Sequence, residues 1–310
     1  MLPISPFPFH RTTPKIDARL WTTLWCLLLL GTCLTCSRPA GALDLDAGDY
    51  VPAGAGTTLG LLYLQYAERD QLYQSGHRLA DAPGLDSQIG ILRLVHYTDL
   101  GGYRVAPQLL LPFGRLDGRH DGGTLGDSSG LADPILAMPL WLINQPEQRR
   151  FFAITPYLFI PAGRYDHDRA LNLGENRWKL NLQAGYVTGI DADLALDLAA
   201  DVTFYGRNDS YGAAQWSRRQ KPSYQYQGFL RYPLGKTVDL RAGLSYQHGG
   251  ENHMNHSWMN DSQRTAKWSA GFSWFVAPKT QLAASFGRDI TVDNGFREQA
   301  RLNLRLLQVF

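Results

Sequence analysis

From Leu194 to Tyr205 the chain reads Leu-Ala-Leu-Asp-Leu-Ala-Ala-Asp-Val-Thr-Phe-Tyr, with Leu194, Leu196, Leu198, Ala200, Val202 and Phe204 on one phase and Asp197 and Asp201 on the other. On a helix the two aspartates would share a face while the leucines scattered around the axis, so a period of two explains the pattern better than 3.6. This predicts a strand with one apolar and one polar face, close to the ~10 residues that a tilted strand needs to cross a bilayer. The pattern recurs. Trp178, Leu180, Leu182, Ala184 and Tyr186 alternate with Lys179, Asn181, Gln183 and Gly185, and Val238, Leu240, Ala242, Leu244 and Tyr246 with Asp239, Arg241, Gly243 and Ser245. Ala266, Trp268, Ala270, Phe272 and Trp274 alternate with Lys267, Ser269, Gly271 and Ser273.

Twelve such strands are predicted, at Thr57–Tyr66, Gln88–Tyr97, Tyr103–Pro112, Leu131–Leu142, Phe151–Pro161, Trp178–Thr188, Leu194–Tyr205, Ser223–Tyr232, Val238–His248, Thr265–Val276, Gln281–Asp289 and Arg297–Phe310. Long polar connections alternate with tight turns rich in Gly, Pro, Asn or Asp. An even strand count, with long loops on one rim and short turns on the other, outlines an all-β fold: a transmembrane antiparallel β-barrel over residues 57–310, with both termini on the periplasmic side. An open sheet edge in hydrocarbon would strand N–H and C=O groups, so the sheet must close. Residues 43–56, small, polar and Gly-rich, are a periplasmic lead-in or a short plug.

The presumed lipid face carries aromatics near its two ends: Trp178, Phe204, Tyr224, Tyr246 and Trp268 towards the loops, Tyr186, Tyr232, Trp274 and Phe310 towards the turns. These are the girdles a barrel in lipid needs. Trp178 and Tyr186 lie ~26 Å apart along a strand and ~20 Å apart vertically after tilt, near the ~25 Å apolar band. Charge is a sharper test, because Lys or Arg facing lipid at mid-depth costs ~2–4 kcal/mol. A polar ladder of Asp197, Asp201, Asp239, Arg241, Lys267, Arg297, Arg301 and Arg305 falls on the inward phase. The arginines of the last strand are expected to answer the three aspartates. Arg288 and Glu298 fall on the outward phase near the loop rim and pair if the last hairpin is symmetric about Asp293.

Strands one to five are apolar on both phases, as in Phe-Phe-Ala-Ile-Thr-Pro-Tyr-Leu-Phe-Ile-Pro from Phe151 to Pro161. The inner face there either packs a plug or offers a path for small apolar or aromatic molecules. Pro107, Pro139 and Pro156 fall inside consecutive strands, where each removes a ladder donor. Bulges at these prolines would open the wall sideways to lipid.

The start of the chain places this barrel. Arg11, Lys15 and Arg19 precede an apolar stretch from Leu20 to Leu34, and Ala40-Gly41-Ala42 offers an A-x-A cleavage site, so residues 1–42 are predicted to be a cleaved signal peptide. An N-terminal membrane anchor fits less well, the apolar run being short and broken by Thr and Gly. Cys26, Cys33 and Cys36 all lie in or just after that run, which leaves the mature chain no disulfide or thiol chemistry. A net charge of +2 gives no reason to expect a nucleic-acid partner.

Catalytic and metal chemistry find little support. Outer-membrane phospholipases place a His and a Ser two residues apart on the lipid-facing rim, whereas His248 is followed by Gly249-Gly250 and His256 by Ser257-Trp258. His248, Glu251, His253 and His256 in one loop form a conceivable metal set, but such loops are usually solvated polar surface. Asp117, His120, Asp121 and Asp127, with Asp166, His167 and Asp168, read the same way. No catalytic residue, metal or cofactor is expected.

Gly130-Leu131-Ala132-Asp133, then Pro161-Ala162-Gly163-Arg164-Tyr165, then Asn172-Leu173-Gly174-Glu175-Asn176-Arg177-Trp178 resemble an outer-membrane family. It is the one named for the meta-cleavage pathway of phenol degradation, and the likeness spans about Gly56 to Phe310. The resemblance implies a transporter-like barrel of the Gram-negative outer membrane that passes hydrophobic or aromatic compounds. It also implies a barrel-rim position for Asp133, Gly163, Asn172, Gly174, Asn176 and Trp178, whose residue types suit turns and backbone bonding, a structural role. The proline that often follows the Trp of the last motif is absent, Lys179 standing there instead. The expected partners are the lipid bilayer, small hydrophobic or aromatic solutes, and the insertion machinery that reads a last strand ending on Phe310. The second hypothesis is a structural or adhesive barrel with a filled lumen, and the third an outer-membrane lipid hydrolase.

Overall fold

Strands that are oily on one face and polar on the other satisfy both a bilayer and a wet interior only when they close into a ring. The computed structural model of the protein describes residues 44–79, 84–119, 125–191 and 193–310; the leader expected over residues 1–42 lies outside them. Twelve antiparallel staves form a closed barrel. They are β1 (Thr58–Arg69), β2 (Gly84–His96), β3 (Tyr103–Val105 and Gln108–Arg119), β4 (Asp127–Leu131, Ile135–Ala137 and Leu140–Gln145), β5 (Arg150–Phe159) and β6 (Lys179–Gly189). The ring continues with β7 (Ala195–Tyr205), β8 (Ser223–Leu234), β9 (Val238–Gly249), β10 (Gln263–Ala277), β11 (Thr280–Val292) and β12 (Ala300–Val309). Each stave pairs with its neighbours in sequence, and β12 closes on β1 in a register running from Leu59 opposite Val309 to Glu68 opposite Ala300. Among the described residues no helix is long and apolar enough to cross a membrane.

The outward phase is the one the alternation predicts. Leu182, Leu198, Leu244 and Leu302 face out, while Gln183, Asp197 and Arg301 are buried inside. Exposed aromatics sit near both ends, with Trp178, Phe204, Tyr224 and Tyr246 by the loops and Tyr232, Trp274 and Phe310 by the turns. Above the barrel the loops form two small sheets, one of Gln71–Gln74, His77–Arg78 and Gly295–Arg297, the other of Asn208–Tyr211, Trp216–Gln220, Asn252–Met254 and Ser257–Trp258.

Three expectations need correction. The third and fourth strands are broken rather than continuous, at Ala106-Pro107, Ala132–Pro134 and Met138-Pro139, because a proline cannot donate to the ladder. The last strand begins at Ala300, and Arg297 belongs to a short rim strand, where it donates to the carbonyls of Asp289 and Ile290 and to the Tyr73 hydroxyl. The irregular step at Glu298-Gln299 reverses the phase. Glu298 therefore turns inward, pairing with Arg69 at 2.7 Å and with Arg301, and does not meet Arg288, which stays opposite Trp268 on the outer face.

Candidate functional site

Residues 44–50 lie inside the ring, and their sequence explains why. In Asp44-Leu45-Asp46-Ala47-Gly48-Asp49-Tyr50, apolar and acidic side chains interleave, so the segment offers both kinds of contact to a wall that is oily on one side and charged on the other. A turn closed by bonds from the N–H of Asp49 to the carbonyl of Asp46 and from Val51 to Gly48, both 3.0 Å, shapes it. Leu45, Ala47 and Tyr50 are buried. The Tyr50 hydroxyl donates to Gln183 at 2.8 Å and lies 3.1 Å from the Thr155 hydroxyl, while Trp141 donates from its indole to the Tyr50 carbonyl at 2.9 Å. Its ring rests on a shelf of small residues, Ala153, Gly185 and Ala199, aligned across β5, β6 and β7. A Cβ on Gly185 would fall 2.1 Å from ring carbons of Tyr50, so only glycine admits this approach.

The acidic side chains reach the opposite wall. Asp44 pairs with Lys267 of β10 at 2.8 Å and with Arg301 of β12; Asp46 pairs with Arg305 at 2.8 Å; Asp49 pairs with Arg93 of β2 at 2.9 Å and lies 3.6 Å from Arg305. This corrects the expected partnership of the last-strand arginines with Asp197, Asp201 and Asp239. Asp197 pairs with Arg231 at 2.8 Å, Asp239 pairs with Arg241, and Asp201 accepts from Asn181 at 2.7 Å and Gln183 at 3.3 Å. The wall aspartates already have partners on their own or neighbouring strands, which leaves Arg301 and Arg305 to the inner segment. Arg93, the other cation of this network, escaped the sequence reading because it sits in a strand apolar on both phases.

Above the inner segment a cavity of about 140 Å³ remains, close in size to one that holds a benzene ring. Ile89, Ile91 and Leu110 line one side; Arg241, Lys267 and Arg301 line the other. The outer end is covered by the loop that follows β5, whose Leu171 and Leu173 pack on Leu85, Ile89 and Leu116. That loop is fixed at the break in β4. Asp133 accepts from the N–H groups of Gly163 at 3.0 Å and Glu175 at 2.9 Å, and a Cβ on Gly163 would strike the backbone at Ala132 and Asp133. Gly174 lies against Gly163 and Asp133. Asn172 ties the loop to itself, accepting from the Asp166 N–H and donating to the Asp166 and Arg169 carbonyls, while Asn176 donates to Asn208. Trp178 faces outward.

Glu175 is buried, which alone would push its carboxyl up; Lys179 and Arg177 overcome this and hold it well below the usual carboxylate range. A group depressed on folding contributes stability in full above its unfolded pKa, about 4.5 here, and loses it as pH falls below that. Protease access to loop 162–177 should therefore stay constant from pH 8 to about 5 and rise only at stronger acidity.

Among the described residues the loop histidines and acids do not converge, and His120 and Asp121 lie outside those residues. His248 stacks on Tyr224 with centroids 5.1 Å apart, His253 meets Trp258 edge-on, and Glu251 pairs with Lys221.

The wall beside the apolar half of the cavity is interrupted by prolines. Pro107, Pro139 and Pro156 occupy nearly level positions on β3, β4 and β5, where their carbonyls accept from the N–H groups of His96 at 3.1 Å, Ala106 at 3.1 Å and Met138 at 3.3 Å while the prolines donate none. β5 itself runs unbroken through Pro156, but its pairing with β4 shifts register between Trp141 and Ile143. Just inside lie Leu110, Ile135, Ala137 and Phe159, and just outside Leu109, Leu136, Met138, Ile154 and Leu158. An apolar interior thus meets lipid across a part of the wall where three prolines lack a ladder donor.

Residues 69–306 match the family described as "Putative MetA-pathway of phenol degradation". The chain is similar to the COG4313 outer membrane channel from Pseudomonas putida F1, at 39% identity over 86% of this chain and 100% of that one, with a TM-score of 0.83. The β domain of the Bordetella autotransporter BrkA is 11% identical over 82% of this chain and 100% of that one, with a TM-score of 0.49. The CymD monoaromatic hydrocarbon channel is 11% identical over 83% and 89%, with a TM-score of 0.46. No curated protein matches the sequence.

Proposed function

The chain belongs to the family of the putative MetA-pathway of phenol degradation, a β-barrel of the Gram-negative outer membrane, and from that premise we propose that it takes up small hydrophobic or aromatic compounds by a sideways route. The inner segment acts as a plug on the axial path to the periplasm. A solute entering from outside occupies the apolar side of the cavity and leaves between β4 and β5 into the membrane. One observation carries this reading: the axis is filled by ion-paired chain, while the proline-broken wall is oily on both sides. No catalytic group takes part. The outward-facing final strand, ending on an exposed Phe310, serves recognition by the insertion machinery.

The route is tested by fastening the two staves together. Leu136 and Leu158 are cross-strand partners next to the prolines and both face lipid, at the spacing that a disulfide can bridge. Uptake of toluene and phenol by cells carrying Leu136→Cys with Leu158→Cys should fall about tenfold when oxidised, the equivalent of ~1.4 kcal/mol on the barrier, and recover on reduction. Unchanged uptake in the oxidised form refutes the sideways exit. A filled, non-transporting barrel is favoured instead by the packing of Leu45 and Tyr50 among Leu61, Val95, Trp141 and Phe151; that reading predicts no difference in uptake between cells with and without the protein.

A further inference from the structure

The plug and the wall do not carry charge evenly. Wall carboxylates Asp197 and Asp239 are matched by wall cations Arg231 and Arg241. Three plug carboxylates, Asp44, Asp46 and Asp49, sit on four cations of β2, β10 and β12: Arg93, Lys267, Arg301 and Arg305. Arg301 has Glu298 as well. The side chains of Arg93, Lys267, Arg301 and Arg305 are each no more than 13% exposed. Withdrawing the plug alone would take three carboxylates from a stripe of partly desolvated cations facing a narrow lumen, and the loss of opposite charge in such a place is disfavoured. A neutral hydrocarbon gives that stripe nothing in exchange.

The cavity next to the stripe has two chemistries. Its basic lining, Lys267 and Arg301 among it, shares a space the size of one ring with Ile89, Ile91 and Leu110. Guanidinium groups hold carboxylates through paired, charge-assisted hydrogen bonds. Resting on the uptake reading above, we propose that the solute class this barrel favours is an amphiphile with a carboxylate head and a ring-sized apolar body, the head taking the place of one plug carboxylate, Asp44, on Lys267 and Arg301 beside the cavity and so loosening its hold on the stripe formed with Arg93 and Arg305. The plug is then a built-in competitor that occupies the head-group site until an anion displaces it. No bond is made or broken. Each carboxylate head restores one of the three negative charges that leave with the plug, and a neutral body restores none, which is why the anion, and not the apolar body, releases the plug.

The test uses the refolded protein in liposomes and three isosteric probes at neutral pH: 3-phenylpropanoate, 3-phenylpropan-1-ol and 3-phenylpropylamine. A spin label at Val51, a partly exposed plug residue, reports plug mobility. The carboxylate should enter at least about tenfold faster than the alcohol, a difference of ~1.4 kcal/mol, and should alone mobilise the label. The amine should be slowest. Entry of alcohol and carboxylate at equal rates overturns this proposal and leaves the uptake reading standing; entry of none of the three overturns both. Lys267→Gln with Arg305→Gln should abolish the preference. Because those wall changes can impair folding, Asp46→Asn with Asp49→Asn provides a second arm outside the ladder. It should make the residual conductance anion-selective, and a cation-selective or unselective pore would refute the proposal.

Discussion

Gly185→Ala is expected to unseat the plug. The added methyl would lie 2.1 Å from the Tyr50 ring, so the ring must leave its shelf between Ala153 and Ala199, and its hydroxyl must leave Thr155 and Gln183. Burial of an aromatic side chain contributes ~1.5–3 kcal/mol and each hydrogen bond about 1 kcal/mol. A loss of about 3 kcal/mol raises the released fraction about a hundredfold. Conductance of the variant in planar bilayers should rise accordingly and match that of Tyr50→Ala, with the barrel's heat resistance unchanged because no ladder bond is touched. A conductance equal to wild type would show that the Tyr50 shelf does not hold the plug.

Arg301→Leu is expected to have the largest effect on stability. Its register neighbours are Ala67 on β1 and Gly287 on β11, small residues that leave the guanidinium room at the seam where the ring closes. It pairs there with Asp44 and Glu298. Removing one partner from a buried charge network typically costs about 3–5 kcal/mol, because the remaining charges stay desolvated. The thermal transition from folded to unfolded mobility in detergent should shift down accordingly. Arg301→Lys should recover part of the loss, since it keeps the charge and gives up the forked geometry. A Leu variant as stable as wild type would mean that the seam does not depend on this network.

How much of this was readable from the chain follows from which interactions are local. Alternation is a property of neighbours, so the staves from Lys179 onward, their facing and their aromatic ends were legible. The breaks in β3 and β4 were visible only as prolines, because a periodicity argument shows where a donor is missing and not where the ladder yields. The turn of Glu298 towards the lumen depends on a one-residue irregularity before Ala300, which no alternation pattern reveals. The plug was legible only as one of two alternatives for residues 43–56, and its contacts were not legible at all, since its partners lie far away in sequence, Asp44 and Arg301 being 257 residues apart. One signal was available. The inward phase of the last strand carries Arg301 and Arg305 with no acid among its members, and Asp44, Asp46 and Asp49 were the acidic group left without an assignment.

The plug joins the first stave, while two of the arginines that hold it lie on the final one. These pairs therefore cannot assemble until β12 has docked on β1, so the interior is sealed last during biogenesis. Before that docking, Asp44 and Asp46 are held apart from Arg301 and Arg305, so the two ends of the chain reach their shared charge balance only in the finished ring.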